Sequence, residues 1–105
     1  MADALNRMWV RFLPEIETRL ALIEDAARGL TASDLPVDQR DAARQSGYQA
    51  AHKLAGILGT FGLPRGTVLA RQAEHLLAED VPSEAASELK QWLVELRSLI
   101  QSRSV

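Results

Sequence analysis

The chain contains no cysteine, so disulfides and thiol chemistry are excluded, and cysteine usage says nothing about the compartment. It also lacks a basic excess. Twelve Lys and Arg against 14 Asp and Glu leave a net charge of −2 and a pI near 5.6, so there is no electrostatic footprint for nucleic acid. No uninterrupted apolar run approaches the roughly 20 residues that a membrane span needs. The start Met-Ala-Asp-Ala-Leu-Asn lacks the charged segment and apolar block of a secretory signal, and a cytoplasmic location is the default expectation. No strand-like alternation, internal repeat or low-complexity tract is present. What remains is ordinary for a soluble globular chain: 47% apolar and 25% charged residues in a length of 105, enough for one real core and one domain over residues 1–105.

Apolar positions recur at helical spacing along most of that length. Between about Asp3, a candidate cap, and Arg28 they are Leu5, Trp9, Phe12, Ile16, Leu20, Ile23 and Ala27. Pro14 interrupts this run and has no N–H to donate, so the reading is a short first helix, broken near Phe12 or Leu13, and a longer one stopping at Gly29. A connector rich in turn formers, Leu30 to Pro36, leads into a second long pattern from about Val37 to Gly59 or Thr60. Gly62 terminates it, with Leu63 and Pro64 following. Pro64 to Glu79 reads as a shorter helix with Val68, Leu69, Ala73, Leu76 and Leu77 as its core face. The turn Asp80-Val81-Pro82-Ser83 offers capping residues to a helix over Glu84–Gln101, whose stripe is Ala85, Leu89, Trp92, Leu93, Leu96, Leu99 and Ile100. The tail from Ser102 is expected to fray. These patterns imply an all-α, up-and-down four-helix bundle with a short extra N-terminal helix as an option.

The stretch Ala51-His52-Lys53-Leu54-Ala55-Gly56-Ile57-Leu58-Gly59-Thr60-Phe61-Gly62 stands out. At about 100° per residue, the apolar stripe of this helix (Ala43, Gly47, Ala50, Leu54, Ile57, Leu58, Phe61) spans roughly 100° nearly opposite His52. The imidazole is therefore expected to face outward. Its helical neighbours are Gln45, Tyr48, Ala55, Gly56 and Gly59, three of which carry at most a methyl group. A helix-interior glycine costs about 1 kcal/mol against alanine. Gly62 reads as a cap and Gly47 as a close-approach residue, but Gly56 lies mid-pattern one turn beyond the histidine.

Several chemistries do not fit. His75, the other histidine, lies in a different helix without the i, i+4 partner of zinc helices, and no metal is expected. The serines sit in caps, helix faces or the tail rather than in a strand–turn–helix elbow. No glycine-rich loop follows a strand, so nothing suggests ATP binding. An imidazole nucleophile that forms a transient phosphoramidate remains. It needs an outward ring, small neighbours that admit another protein's active site, and a nearby cation for the phosphoryl oxygens.

With those residues in view, the chain resembles the histidine phosphotransfer (HPt) domains of multistep two-component phosphorelays. Their pattern is His-x-x-Lys-Gly, a run of small residues, and Gly ten positions after the histidine. His52, Gly56 and Gly62 match it, with Ala51 before and Leu54 at the usual apolar site. Leu5–Arg28 resembles the family's N-terminal helical segment, and Arg65–Glu79 its helix after the motif. Ala55 departs from the family lysine, and Lys53 stands one residue after the histidine instead. Glu74 falls by ungapped count at a site that is commonly glutamine, where a carboxylate could accept a hydrogen bond from the ring. The variant His-Lys-Leu-Ala-Gly, followed by Leu-Gly-Thr-Phe-Gly, is similar to HPt modules attached to receiver-containing regulators. The histidine helix of a sensor kinase, His-Glu-x-x-x-Pro, is a poor match, since those places hold Lys53 and Ile57.

The resemblance implies that His52 accepts a phosphoryl group from a receiver-domain aspartyl phosphate and passes it to another receiver. The docking face would include Tyr48, Ala55, Gly56 and Gly59, with Gln45, Gln49 and Lys53 at its rim. The domain would be a phosphoryl carrier rather than an enzyme, monomeric and without a cofactor of its own, Mg²⁺ residing on the receiver. Its partners would be response-regulator receivers or a hybrid histidine kinase, not nucleic acid or membrane. Two other readings remain: a module that docks receivers without carrying phosphate, favoured by Ala55 and Glu74, and a plain structural bundle.

Overall fold

The computed structural model describes residues 2–32, 34–79 and 81–103, with the side chains of residues 2 and 3 excepted. Helix α1 spans Ala2–Thr31, α2 Val37–Thr60, α3 Pro64–Leu77 and α4 Ala86–Arg103, the last preceded by a 3-10 turn at Ser83–Ala85. The expected Asp3 cap lies outside the described side chains, as do Asp80 and the last two residues of the tail.

Helix α1 corrects the expected break. It is one continuous helix with Pro14 inside it, so the bundle has no separate N-terminal helix. Pro14 lies on the exposed side. The carbonyl that loses its partner belongs to Val10, itself 63% exposed, where water can replace the missing bond. Trp9 before the proline and Ile16 and Leu20 after it are all buried. Both halves are thus held to the same apolar stripe. The helix also runs past Gly29, because Leu30 is buried and adds another turn to the core.

Helix α2 ends as its sequence suggests. Gly62 adopts φ +71°, the left-handed region that a side chain disfavours. Its N–H donates to the Gly59 carbonyl at 3.2 Å, and the Leu63 N–H donates to that of Leu58 at 3.0 Å, the paired bonds of a Schellman stop. Pro64 then occupies the first turn of α3.

The core face of α3 is rotated from the expected one. Val68 is 46% exposed, while Gly66, Leu69, Ala70, Ala73 and Leu77 are buried. The small residues face inward because α3 packs between α2 and α4, and a Cβ added at Gly66 would already meet Leu58 Cδ1 at 3.1 Å. Nor does Ser83 cap α4 with its side chain. It lies inside the 3-10 turn, and the residue before it, Pro82, makes no capping hydrogen bond. At the far end α4 continues through Ser102 to Arg103, whose guanidinium lies 5.2 Å from the Trp9 ring.

The helices pack in a ring, α1 on α2, α2 on α3, α3 on α4 and α4 on α1, forming a rod of 48 × 20 × 20 Å. Leucines and isoleucines from all four helices fill its axis, each contributing about 1.5–3 kcal/mol by leaving water. Trp9 and Phe12 meet Phe61 edge-on at 5.2 and 5.8 Å, closing one end between α1 and α2. Gly47 lets α1 and α2 approach closely: a Cβ there would sit 2.6 Å from Ala26 Cβ. Ion pairs stitch α4 to its neighbours. Arg97 grips Glu24 through Nε at 3.0 Å and Nη2 at 2.9 Å, and reaches Glu17 at 3.1 Å; Arg65 on α3 holds Glu95 at 2.6 Å.

Candidate functional site

His52 lies midway along α2, and the packing of that helix decides its exposure. The buried positions Gly47, Ala50, Ala51, Leu54, Ala55 and Leu58, together with Phe61 at the helix end, cover an arc of roughly 140° at 100° per residue. This is wider than the sequence stripe because α2 is flanked by α1 on one side and α3 on the other. His52 falls on the uncovered arc, with 64% of its side chain exposed, as the placement opposite the stripe requires.

The expected docking residues divide. Gln45, Tyr48, Gln49, Lys53, Gly56 and Gly59 are exposed. Ala55 is not. It is fully buried, about 60° around the helix from His52 on the same flank as Ala51, so a partner protein cannot touch it. The wider burial made by a second neighbouring helix is the reason. Lys53 forms no ion pair with another described residue, and it points about 100° away from the histidine.

The ring is oriented from α3. Glu74, with 15% of its side chain exposed, faces His52 across the α2–α3 interface, Nδ1 lying 2.7 Å from Oε2. A carboxylate can only accept, so Nδ1 carries the proton and donates. In the neutral ring this leaves the lone pair on Nε2, which has no protein partner among the described residues. The hydrogen bond expected of a carboxylate at Glu74 is thus present. Its contact follows from the Gly62 stop, which turns α3 back along α2.

Two residues of the site were not found by sequence reasoning. Glu15 and Arg19 on α1 share one groove with His52, Lys53, Gly56 and Ile57. Arg19 donates from Nε at 3.1 Å and Nη2 at 2.8 Å, both to Oε1 of Glu15. Their i, i+4 spacing is a visible signal for a helix-surface pair. Nothing in the sequence says that α1 sets this pair beside the histidine.

The glycines around the ring have no packing duty. A Cβ added at Gly56 would meet nothing within 4 Å, and one at Gly59 would make only an ordinary contact, 3.7 Å from Thr67 Oγ1. Their helix-weakening backbone therefore leaves the ring bare on the outer face. His75 is exposed on α3, and no group of three or more potential metal ligands occurs among the described residues. Among those residues no helix is long and apolar enough to cross a membrane.

Comparison with known proteins agrees with this geometry. Residues 7–102 match the family model of the Hpt domain. Protein RcaC of Microchaete diplosiphon is 36% identical over 73 residues, which cover 70% of this chain and 11% of that protein. The chain thus spans about a tenth of the length of that curated relative. No solved structure matches the chain. A match across nearly the whole sequence, on a four-helix bundle whose second helix turns one imidazole outward, places the chain in the Hpt domain family, the phosphotransfer modules of two-component phosphorelays.

Proposed function

We propose that His52 is the phosphoacceptor of this domain, taking a phosphoryl group from an aspartyl phosphate on a receiver domain and passing it to another receiver. The observation that carries this reading is the bond between His52 Nδ1 and Glu74 at 2.7 Å, which leaves Nε2 as the free nucleophilic nitrogen on an exposed ring. In the forward step the Nε2 lone pair forms the bond to phosphorus. The bond from phosphorus to the aspartyl oxygen breaks, and its electron pair leaves on the receiver's carboxylate. The Nδ1 proton stays on the ring, whose developing positive charge is balanced by Glu74. The reverse step returns the group to a second receiver.

The carrier needs no nucleotide site of its own. Mg²⁺ and the remaining charge stabilisation belong to the receiver, while Tyr48, Gln49, Gly56 and Gly59 form the surface on which it closes. One copy suffices, since the ring, Glu74 and the groove all come from one chain. The test is incubation with a phosphorylated receiver. Acid-labile, base-stable label should appear on the wild-type domain and be absent from a His52→Ala variant. Label that persists in that variant assigns the site elsewhere, and a wild-type domain that binds receivers without taking label is a docking module only.

A further inference from the structure

The family lysine three residues after the histidine is replaced here by Ala55, and that position is buried, so the phosphoryl oxygens need a cation from elsewhere. Building on the phosphocarrier reading, we infer that Arg19 of α1 is that cation, held ready by Glu15 across the groove from His52. The argument starts from the ring. Nδ1 is committed to Glu74 on the α3 side, and the two imidazole nitrogens point in divergent directions in the ring plane. Nε2, the atom that receives phosphorus, is therefore turned away from Glu74.

His52 shares with α1 a groove lined by Gly56, Lys53, Arg19 and Glu15, about 430 Å³ in volume. Gly56 stands between the ring and α1, and a Cβ there would meet nothing. No side chain at this position stands between the ring and the groove. Arg19 is the one arginine among the groove residues. Only 24% of its side chain is exposed, so much of its rotamer freedom is already spent. Both of its bonds to Glu15 come from Nε and Nη2 and end on a single oxygen, Oε1. Nη1 is not used in that pair. A guanidinium has five donors in a planar fork, so Arg19 can keep Glu15 as an anchor and offer Nη1 to the phosphoryl oxygens.

Glu15 also brings negative charge into the groove. Pairing with Arg19 neutralises it in the resting state, and its role is positioning. Lys53, on the same groove wall and unpaired among the described residues, adds a second, more mobile positive charge.

The test uses potassium phosphoramidate, whose P–N bond breaks to release ammonia as Nε2 takes the phosphoryl group, so no partner need be identified. Wild-type protein should acquire phosphohistidine at His52, and the side-chain ¹⁵Nη resonances of Arg19 should shift on phosphorylation. Arg19→Ala, checked for unchanged helical content, should be phosphorylated about tenfold more slowly. Arg19→Lys should recover part of the loss, and Glu15→Gln, which weakens the anchor but keeps the cation, should give a rate between wild type and Arg19→Ala. If wild type is phosphorylated but Arg19→Ala matches it and the Arg19 resonances do not move, the inference is overturned while the carrier reading stands. If wild-type His52 takes no phosphoryl group, both are overturned.

Discussion

His52 and Glu74 lie 22 positions apart in sequence, yet their side chains meet at 2.7 Å across the α2–α3 interface. This pairing fixes which ring nitrogen is free, and it can be checked without a partner protein. In the wild-type domain, ¹⁵N shifts of His52 should report the Nδ1–H tautomer at neutral ring charge. Glu74→Ala should give the mixed tautomers of a free imidazole and slow phosphoryl uptake about tenfold, equivalent to ~1.4 kcal/mol of barrier. A single tautomer that survives the substitution would mean that something other than Glu74 orients the ring.

Gly56 separates stability from function. Because an added Cβ meets nothing and the site is helical, Gly56→Ala should raise unfolding free energy by about 0.5–1 kcal/mol. The methyl group narrows the approach to the ring, so phosphoryl transfer should fall in the same variant. Gly56→Leu should remain helical by circular dichroism and block transfer. A leucine variant with unimpaired transfer would show that access does not depend on this position.

Gly47 should behave in the opposite way. Its missing Cβ would lie 2.6 Å from Ala26 Cβ and 3.3 Å from Leu77 Cδ1, so Gly47→Ala must push α1 and α2 apart. Overpacking of this kind costs about 1–3 kcal/mol, which exceeds the gain in helix propensity. Urea denaturation should show a lower midpoint with little change in slope.

The Arg65–Glu95 bond between α3 and α4 adds a small acid-sensitive contribution. Hydrogen bonding to the Arg65 guanidinium holds the Glu95 carboxyl below its ordinary 4.5. A folded value below the unfolded one means that the stabilisation is present above that ordinary value and lost as pH falls through the lowered one. Thermal unfolding from pH 7 to pH 3 should show wild type losing more stability than Glu95→Gln on the acid limb. Both side chains are about half exposed, so the difference should shrink in high salt. Parallel curves at low salt would show that the pair contributes nothing.

The parts of the fold that were legible in the sequence are those fixed locally. The Gly62 stop, the Pro64 start and the bounds of α2 all follow from backbone chemistry within a few residues. His52 faced outward because seven apolar positions on its own helix said so. The misreadings arose where a second helix decides the outcome. Pro14 looked like a break, but Trp9, Ile16 and Leu20 pack into one core and hold the helix together. Ala55 looked exposed because one stripe implies one neighbour, whereas α2 has two. Arg19 belonged to an unremarkable surface pair until α1 was laid beside α2.

The link of three residues between α2 and α3 has a consequence for altering this chain. Its two bonds, Gly62 N–H to Gly59 and Leu63 N–H to Leu58, set where α3 starts from the end of α2, so a residue inserted or removed there breaks them and displaces Glu74 from the ring. The connector between α1 and α2 does not lie between His52 and Glu74 in the chain. A tag, a fluorophore or new chain ends belong there, where a change of length leaves the histidine and its carboxylate in step.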